Sequence, residues 1–176
     1  MIEKTLSTER VFSGRLLTLD VLEVELEPGV RARREVVRHP GAAAVLARAP
    51  DGRFVFVRQF RKPVERELVE IIAGCLERGE TPAQCAAREV LEETGYTVRS
   101  LSPLGTLYPT PGYTDEIIHL FRAELAPAPA AQRTDRDERI VLERLTPEAF
   151  EQQVRDGAIT DGKTLAAWAL HKITPC

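Results

Sequence analysis

The stretch from Gly74 to Tyr96 reads GCLERGETPAQCAAREVLEETGY and carries strong local signals for a helix. Thr81 followed by Pro82 is typical of a helix N-cap with proline at the first helical position, and Gly95 suits the C-terminal end. Between these signals, small and apolar side chains recur at helical spacing: Ala83, Ala86, Ala87, Val90 and Thr94. The sequence therefore predicts a helix between Thr81 and Gly95 with one packing side.

The same helix carries a crowded acidic sector. Glu89, Glu92 and Glu93 stand at positions i, i+3 and i+4. Like charges at this spacing destabilise a helix by about 0.2–0.5 kcal/mol per pair. The last turns also disfavour negative charge by about 0.3–1 kcal/mol per charge. A divalent cation would remove both penalties, because Mg2+ and Mn2+ prefer carboxylate oxygens. The alternative is a solvated acidic face that Arg88 partly neutralises.

On either side of this helix, the chain alternates between short strand-like runs and turn signals. Before the helix these runs are Leu17–Leu26, Arg33–Arg38, Ala42–Ala47, Phe54–Phe60 and Leu68–Ala73, with turns at Pro28-Gly29 and Asp51-Gly52. After it they are Val98–Tyr108, Glu116–Leu125 and Ile140–Leu145. Thr146-Pro147-Glu148 begins a second predicted helix, and Lys163–Ile173 is a third. This order predicts an α/β/α sandwich with a mixed sheet and an N-terminal antiparallel strand arm.

Length and composition narrow the class of protein. A chain of 176 residues predicts a single domain, here with N-terminal strands in residues 1–38 and a core in residues 39–176. The net charge of -3 and the lack of a basic run predict no nucleic-acid partner. The N-terminal MIEKTLSTERVF lacks the apolar core of a signal peptide, and no apolar run is long enough to span a membrane. Cys75, Cys85 and Cys176 are odd in number and widely spaced, which predicts reduced thiols in a cytoplasmic protein.

The segment from Gly74 to Tyr96 resembles the box that defines the Nudix family, Gly-x5-Glu-x7-Arg-Glu-U-x-Glu-Glu-x-Gly-U, where U is a bulky apolar residue. Its fixed positions are matched by Gly74, Glu80, Arg88, Glu89, Glu92, Glu93 and Gly95. Val90 takes the first U position, and Tyr96 is a variant of the second. The resemblance implies a Nudix-type fold and a metal-dependent hydrolase.

The resemblance also implies roles for the residues of the box. Glu89 and Glu93 are expected to be the principal metal ligands, with Glu92 close behind. Arg88 would orient these carboxylates, and Glu80 would brace the loop. The expected cofactor is Mg2+, with Mn2+ as the alternative. The expected chemistry is metal-assisted attack of water on phosphorus.

Segments outside the box resemble the ADP-ribose pyrophosphatase branch of this family. They are Arg34–Val37, Val57–Arg61, Leu68–Gly74, the loop Thr110–Glu116 with Pro111, and Asp161–Ala166. The branch implies hydrolysis of the pyrophosphate of a nucleoside-diphosphate sugar, with ADP-ribose giving AMP and ribose 5-phosphate. Two alternatives remain: a GDP-mannose or dinucleotide pyrophosphatase, and a non-catalytic domain that senses ADP-ribose.

The branch implies a homodimer in which the N-terminal strands are exchanged, and it implies further site residues. Arg34 and Arg61 would contact the adenine end or the phosphates, and Glu70 the adenosine half. The Ala73 carbonyl would be a metal ligand, and Pro111 and Gly112 would lie near the terminal ribose. The alternatives are that the strand arginines are ordinary surface residues and that Pro111 is only a turn former.

A loop acid is expected to affect catalysis, and two leucines are expected to affect base preference. Glu138, in the segment RTDRDERI, is expected to act as a late metal ligand or as a base, and Asp135 and Asp137 are close enough in sequence to exchange roles with it. The alternative is a solvated loop acid. Leu16 and Leu17 stand where some relatives stack adenine on an aromatic ring, so apolar contact with the base is retained but stacking is lost.

Overall fold

The computed structural model describes residues 2–127 and 139–174. Within them the helices are α1 (Pro82–Thr94), α2 (Pro147–Arg155) and α3 (Gly162–Ile173). The strands are β1 (Lys4–Ser13), β2 (Thr18–Glu27), β3 (Val30–Arg38), β4 (Ala42–Arg48), β5 (Phe54–Arg61), β6 (Arg66–Glu70), β7 (Ile72–Cys75), β8 (Val98–Leu107), β9 (Ile118–Leu125) and β10 (Ile140–Leu145). A 3-10 turn spans Lys62–Val64. None of the helices in the described part is long and apolar enough to cross a membrane.

The described residues form two compact units, and the first contains the N-terminal strands. It comprises the residues up to Gly41 together with Tyr108–Ile117. Its sheet has the order β1-β2-β3 with antiparallel pairing. Gly29 closes the β2–β3 turn at a φ of 83°, a conformation that glycine adopts without a steric penalty. The predicted antiparallel strand arm is therefore present, whereas the division into one domain with an exchanged arm remains a prediction.

The second unit contains a mixed sheet and the three helices. Its strand order is β10-β5-β4-β9-β8, with β6 paired to β5 and β7 paired to β4. The pair β4–β9 is parallel, and the other pairs of this sheet are antiparallel. Residues Ala42–Ala47 of β4 are almost fully buried, as expected for a strand that is covered on both faces.

Alternate side chains of β4 and β5 face two separate cores. One core contains Cys85, Ala86 and Val90 of α1, packed with Ala43, Val45, Ala47, Val55 and Val57. The other contains Phe150 of α2 and Ala167 and Trp168 of α3, packed with Ala42, Ala44, Leu46, Phe54 and Phe56. Because successive strand side chains point to opposite faces, helices cover both sides of the sheet. The α/β/α sandwich predicted from the sequence is confirmed.

The signals around α1 are confirmed in detail. The Thr81 hydroxyl accepts a hydrogen bond from the Gln84 amide, and the Gln84 side chain accepts one from the Thr81 amide. This reciprocal arrangement is a capping box. Gly95 ends the helix at a φ of 73°. The cap therefore fixes the start of the helix, and hence the direction in which its acidic residues point.

Several predicted strands were wrong in their bounds, and β3, for example, begins at Val30 rather than at Arg33. The run Leu68–Ala73 is not continuous, because the Ile71 amide donates to the Thr164 hydroxyl at 2.9 Å and the strand breaks there. The strand predicted from Glu116 begins at Ile118 instead. Within the first unit, the Asp115 amide donates to the Val37 carbonyl at 3.2 Å, so this part of the loop pairs with β3.

Candidate active site

Arg88 is the centre of the acidic sector of α1. Its Nε and Nη2 donate to the two carboxylate oxygens of Glu80 at 2.8 and 2.9 Å. Its Nη1 donates to Glu89 at 2.5 Å and to Glu92 at 3.0 Å, and Nη2 also donates to the Cys75 carbonyl at 3.1 Å. One guanidinium thus holds the loop before the helix, two helix carboxylates and the end of β7 together.

Arg88 and Glu80 shift each other's pKa values. Hydrogen bonds from Arg88 lower the pKa of Glu80 from 4.5 to about 2, although partial burial opposes this. The same contacts with Glu80, Glu89 and Glu92 raise the pKa of Arg88 above its ordinary value. Glu80 and Arg88 therefore form an ion pair at neutral pH.

The three clustered glutamates differ in exposure. The Glu92 side chain is 41% exposed, that of Glu89 14%, and Glu93 as a whole residue only 5%. An acidic face that merely faces water would leave all three exposed. Only Glu92 fits that alternative, because Glu93 turns towards the core on the side where Val90 is fully buried.

Gly74 allows a close approach between β7 and α1. A Cβ built at Gly74 would overlap the Glu89 carboxylate. The absence of a side chain at this position therefore creates the space that the carboxylate fills. Two residues of the box that are distant in sequence, Gly74 and Glu89, meet in one packing contact.

The donor chemistry of this face suits a divalent cation, since carboxylate oxygens are the ligands that such ions prefer. In residues 2–127 and 139–174, however, no group of three or more His, Cys, Asp or Glu side chains is arranged to hold a metal ion. Glu89 and Glu92 instead converge on Arg88. The Ala73 residue, whose carbonyl was expected to be a ligand, lies in β7 opposite Ala44.

A second charged cluster in the same unit joins β5, β6 and α3. Glu70 is 1% exposed and accepts hydrogen bonds from Arg61 Nε and Nη2 at 2.7 and 2.8 Å. Lys163 also donates to Glu70, and it donates to Asp161 at 3.0 Å. Burial by itself would raise the pKa of Glu70, but the two cations outweigh it and hold that pKa below its ordinary value.

The two clusters are electrostatically linked through Arg61. The pKa of Arg61 is raised mainly by its hydrogen bonds to Glu70, and the negative charge of Glu93 adds to this effect. The Arg61 side chain is 39% exposed, whereas Glu70 is buried. Arg61 therefore lies within electrostatic reach of one acid of α1, and the roles of Arg61 and Glu70 in substrate binding remain predictions.

Other predicted site residues belong to the first unit or lie outside the described residues. Arg34, in β3, forms an ion pair at 2.7 Å with Glu3, which directly precedes β1. Pro111 and Gly112 lie in its loop, where the Tyr113 carbonyl accepts from the Val37 amide at 2.8 Å. Glu138, with Asp135 and Asp137, lies outside the described residues.

Sequence reasoning gave no role to Lys163, Asp161 or Thr164. Asp161 is the N-cap of α3 and accepts hydrogen bonds from the Thr164 amide and hydroxyl at 2.9 and 2.6 Å. The signal that could have found them was an Asp three residues before a Thr at a helix start, with a lysine between them. The partner of that lysine, Glu70, is 93 positions away in sequence.

The cysteines agree with the expectation of reduced thiols as far as they are described. Cys75 and Cys85 are not joined in a disulfide. Burial raises the pKa of the Cys85 thiol to about 12, so it is protonated at neutral pH. Its Sγ lies 3.5 Å from the Gly74 carbonyl. Cys85 is therefore a packing residue beneath the acidic sector.

The chain is similar in sequence to known proteins along most of its length. The NUDIX domain profile matches residues 37–168. An ADP-ribose pyrophosphatase of Bacillus subtilis (strain 168) is 45% identical over 94% of this chain and 90% of its own length. A methanol dehydrogenase activator of Bacillus methanolicus has the same identity and coverage. A GDP-mannose pyrophosphatase of Cronobacter sakazakii is 38% identical, with coverage of 94% and 90%.

The fold is also found in a solved structure. The crystal structure of an ADP compounds hydrolase superimposes with a TM-score of 0.83 over 98% of this chain and 93% of that one, at 23% identity. At this identity the likeness supports the fold alone. The match of the family profile over most of the chain, together with the box residues gathered around Arg88, shows that the chain belongs to the Nudix family of hydrolases.

Proposed function

We propose that this hydrolase cleaves the pyrophosphate bond of ADP-ribose and releases AMP and ribose 5-phosphate. The observation that carries the proposal is that Arg61, 39% exposed at its side chain, lies within electrostatic reach of Glu93 on α1. A partly exposed guanidinium suits the phosphates of such a substrate. Carboxylates next to it suit a cation that neutralises those phosphates. The identity of 45% with an ADP-ribose pyrophosphatase supports this substrate over others.

Glu89 and Glu93 would hold the divalent metal, with Glu92 and the Ala73 carbonyl as further ligands. A bound Mg2+ or Mn2+ would neutralise phosphate oxygens and lower the pKa of a bound water. Arg88 would keep Glu89 and Glu92 aligned, and Glu80 would hold Arg88 in turn. These roles follow the contacts of Arg88, which reach all of these acids except Glu93.

Arg61 would bind the phosphates, and Glu70 would hold Arg61 in place as well as serve the adenosine half. Arg34 would contact the adenine end or the phosphates of a substrate. Pro111 would contact the substrate, and Gly112 would lie near the terminal ribose. Glu138 would act as a late metal ligand or base.

A second candidate is suggested by the relative named methanol dehydrogenase activator, which is as similar as the pyrophosphatase. In that case the protein would act on a dehydrogenase partner. The two functions differ in what they require of the site, because activation through binding alone does not need Glu89, Glu92 and Glu93 together. The complete box therefore favours hydrolysis as the primary activity.

The test is a panel of nucleoside-diphosphate sugars and dinucleotides assayed with Mg2+, with Mn2+ and with chelator. We expect ADP-ribose to give AMP with the highest kcat/KM and no turnover in chelator. If GMP is released from GDP-mannose in preference, the proposed substrate is wrong but the proposed hydrolysis of a pyrophosphate bond still holds. Absence of turnover on every compound with either metal would refute hydrolysis and leave the activator role.

We also propose that the protein is a cytoplasmic homodimer that uses the strands of the first unit. All ten residues of β1 are exposed in the single chain, including Val11 at 49% and Phe12 at 53%. An exposed strand with apolar side chains is a ready pairing edge for a second copy.

A further inference from the structure

Four side chains of the second unit form a row of alternating charge: Arg61, Glu70, Lys163 and Asp161. Glu70 is 1% exposed at its side chain, whereas Lys163 and Asp161 are each 14% exposed and Arg61 is 39% exposed. The row therefore begins at the surface, passes through a buried carboxylate and ends at the first turn of α3. A buried carboxylate is stable only when its charge is paired and its oxygens accept hydrogen bonds.

The pairing of Arg61 with Glu70 is side-on. Nε and Nη2 both face Glu70, so Nη1 is not used by this carboxylate. Glu70 therefore fixes the direction in which Nη1 of Arg61 points. The Arg61 side chain is 39% exposed and lies within electrostatic reach of Glu93 on α1.

Glu70 in turn depends on Lys163. Its Oε2 accepts from both Arg61 Nη2 and the Lys163 ammonium. Lys163 is held by Asp161, which also caps α3. The neighbouring Thr164 accepts from the Ile71 amide, next to Glu70 in sequence. The first turn of α3 thus fixes both the backbone and the carboxylate at the end of β6.

We propose that Lys163 is a positioning residue for the substrate: through Glu70 it holds the Arg61 guanidinium in the orientation that receives the phosphates of a nucleoside diphosphate. The proposal rests on the proposed function, in which Arg61 binds the diphosphate. Without Lys163, the Glu70 carboxylate keeps one cation instead of two, and its Oε2 loses one of two hydrogen bonds. The Arg61–Glu70 pair then loses its side-chain anchor to α3, so the orientation of the guanidinium is less well fixed.

The first experiment compares Lys163→Met with Lys172→Met in the whole protein. Lys172 lies on the same helix and pairs with Glu151 at the surface, at 3.0 Å, so it is a matched control. With ADP-ribose and Mg2+, we expect Lys163→Met to raise KM about tenfold or more while kcat changes at most about threefold, as for loss of binding common to ground and transition states. Lys163→Arg should restore most of the affinity. Lys172→Met should match the parent.

A purely structural role for Lys163 predicts a different result. Loss of folded protein would lower the apparent kcat and leave KM unchanged. Asp161→Asn keeps the cap but removes the charge that holds Lys163, so it is the milder variant if Lys163→Met does not fold. We expect it to raise KM a few-fold. A parental KM in the folded lysine variant, or in Asp161→Asn where only that variant folds, overturns the proposal.

A double variant tests whether Lys163 acts through Arg61. Arg61→Ala alone should raise KM, and adding Lys163→Met should then change KM by less than about twofold. Multiplicative effects of the two substitutions would overturn the proposed route.

The failure of the proposed function is distinguishable from failure of this inference. If the parent does not hydrolyse ADP-ribose, the proposed function fails, and the same variants are compared by the Kd for ADP in titration calorimetry. Weaker binding of ADP by Lys163→Met but not by Lys172→Met supports the positioning role. Equal affinities, or no binding of ADP by the parent, overturn it.

Discussion

Arg88 donates two parallel hydrogen bonds to Glu80, from Nε to Oε1 at 2.8 Å and from Nη2 to Oε2 at 2.9 Å. Glu80 lies in the loop before α1, whereas Arg88 lies on the helix and also contacts Glu89. The pair therefore ties the position of the loop to the position of a carboxylate expected to bind metal. Loss of the Glu80 carboxylate should therefore weaken the attachment of this loop to α1.

Glu80→Gln should lower the free energy of unfolding near pH 7 by about 1.5–3 kcal/mol, the contribution of a hydrogen bond to a charged group. The folded pKa of Glu80 is lowered from 4.5 to about 2, chiefly by Arg88. Its stabilisation is therefore fully present above pH 4.5 and is lost as the pH falls towards 2. Denaturant unfolding of parent and variant should converge over this window. A difference that stays constant from pH 7 to pH 2 would contradict the assigned pair.

Glu93→Gln and Glu89→Gln should each lower kcat at least about a hundredfold. Loss of one group that stabilises charge in the transition state costs roughly 3 kcal/mol. Glu148→Gln, an exposed acid on α2, is the control. In chelator, Glu89→Gln should melt lower than the parent because it loses its ion pair with Arg88. Near-parental turnover by both variants would eliminate the metal-site assignment.

Gly74→Ala should lower kcat at least about tenfold and destabilise the fold by about 1–3 kcal/mol, as overpacking does. The added methyl group would overlap the Glu89 carboxylate and displace it. Gly162→Ala is the control, because nothing lies within 4 Å of a Cβ at that position. The measurements are steady-state kinetics and thermal melting. If both alanine variants behave like the parent, Glu89 is not held against β7.

The protein should be a homodimer, with a mass in light scattering of twice 19.6 kDa at micromolar concentration. Phe12→Asp on β1 should shift the mass towards that of a monomer, since it puts a charge into the expected pairing edge. Ile173→Asp, at a residue 76% exposed on α3, should leave the mass unchanged. A fully active parent with a mass near 19.6 kDa would rule out the exchanged arm.

Glu138→Gln should lower kcat strongly and leave substrate affinity within a few-fold, because the carboxylate is expected to act in the transition state rather than in ground-state binding. Asp135→Asn and Asp137→Asn are the controls and should be milder. If one of them is the damaging change instead, the assignment of the loop acid shifts to that residue. Full activity of all three would leave water activation to the glutamates of the box.

The sequence by itself determined the helix α1 and its acidic sector, because the signals are local. Thr81, Pro82 and Gly95 act within a few residues of the backbone groups that they satisfy. The spacing of Glu89, Glu92 and Glu93 then follows from helical geometry. The family followed from the same segment, since its residues are fixed relative to one another along the chain.

Only the tertiary structure decided how these acids differ and what surrounds them. Helical spacing places Glu92 and Glu93 in one acidic sector, but only the folded structure shows that the Glu92 side chain is 41% exposed and that Glu93 is buried. Ile71 and Thr164 break a run that reads as one strand, and Lys163 reaches Glu70 across 93 positions. No periodic pattern or local capping signal in the sequence announces such contacts, because they form where α3 packs on the sheet. The physical reason is that sequence spacing specifies the face of an element, whereas the partner of that face is set by the packing of the whole core.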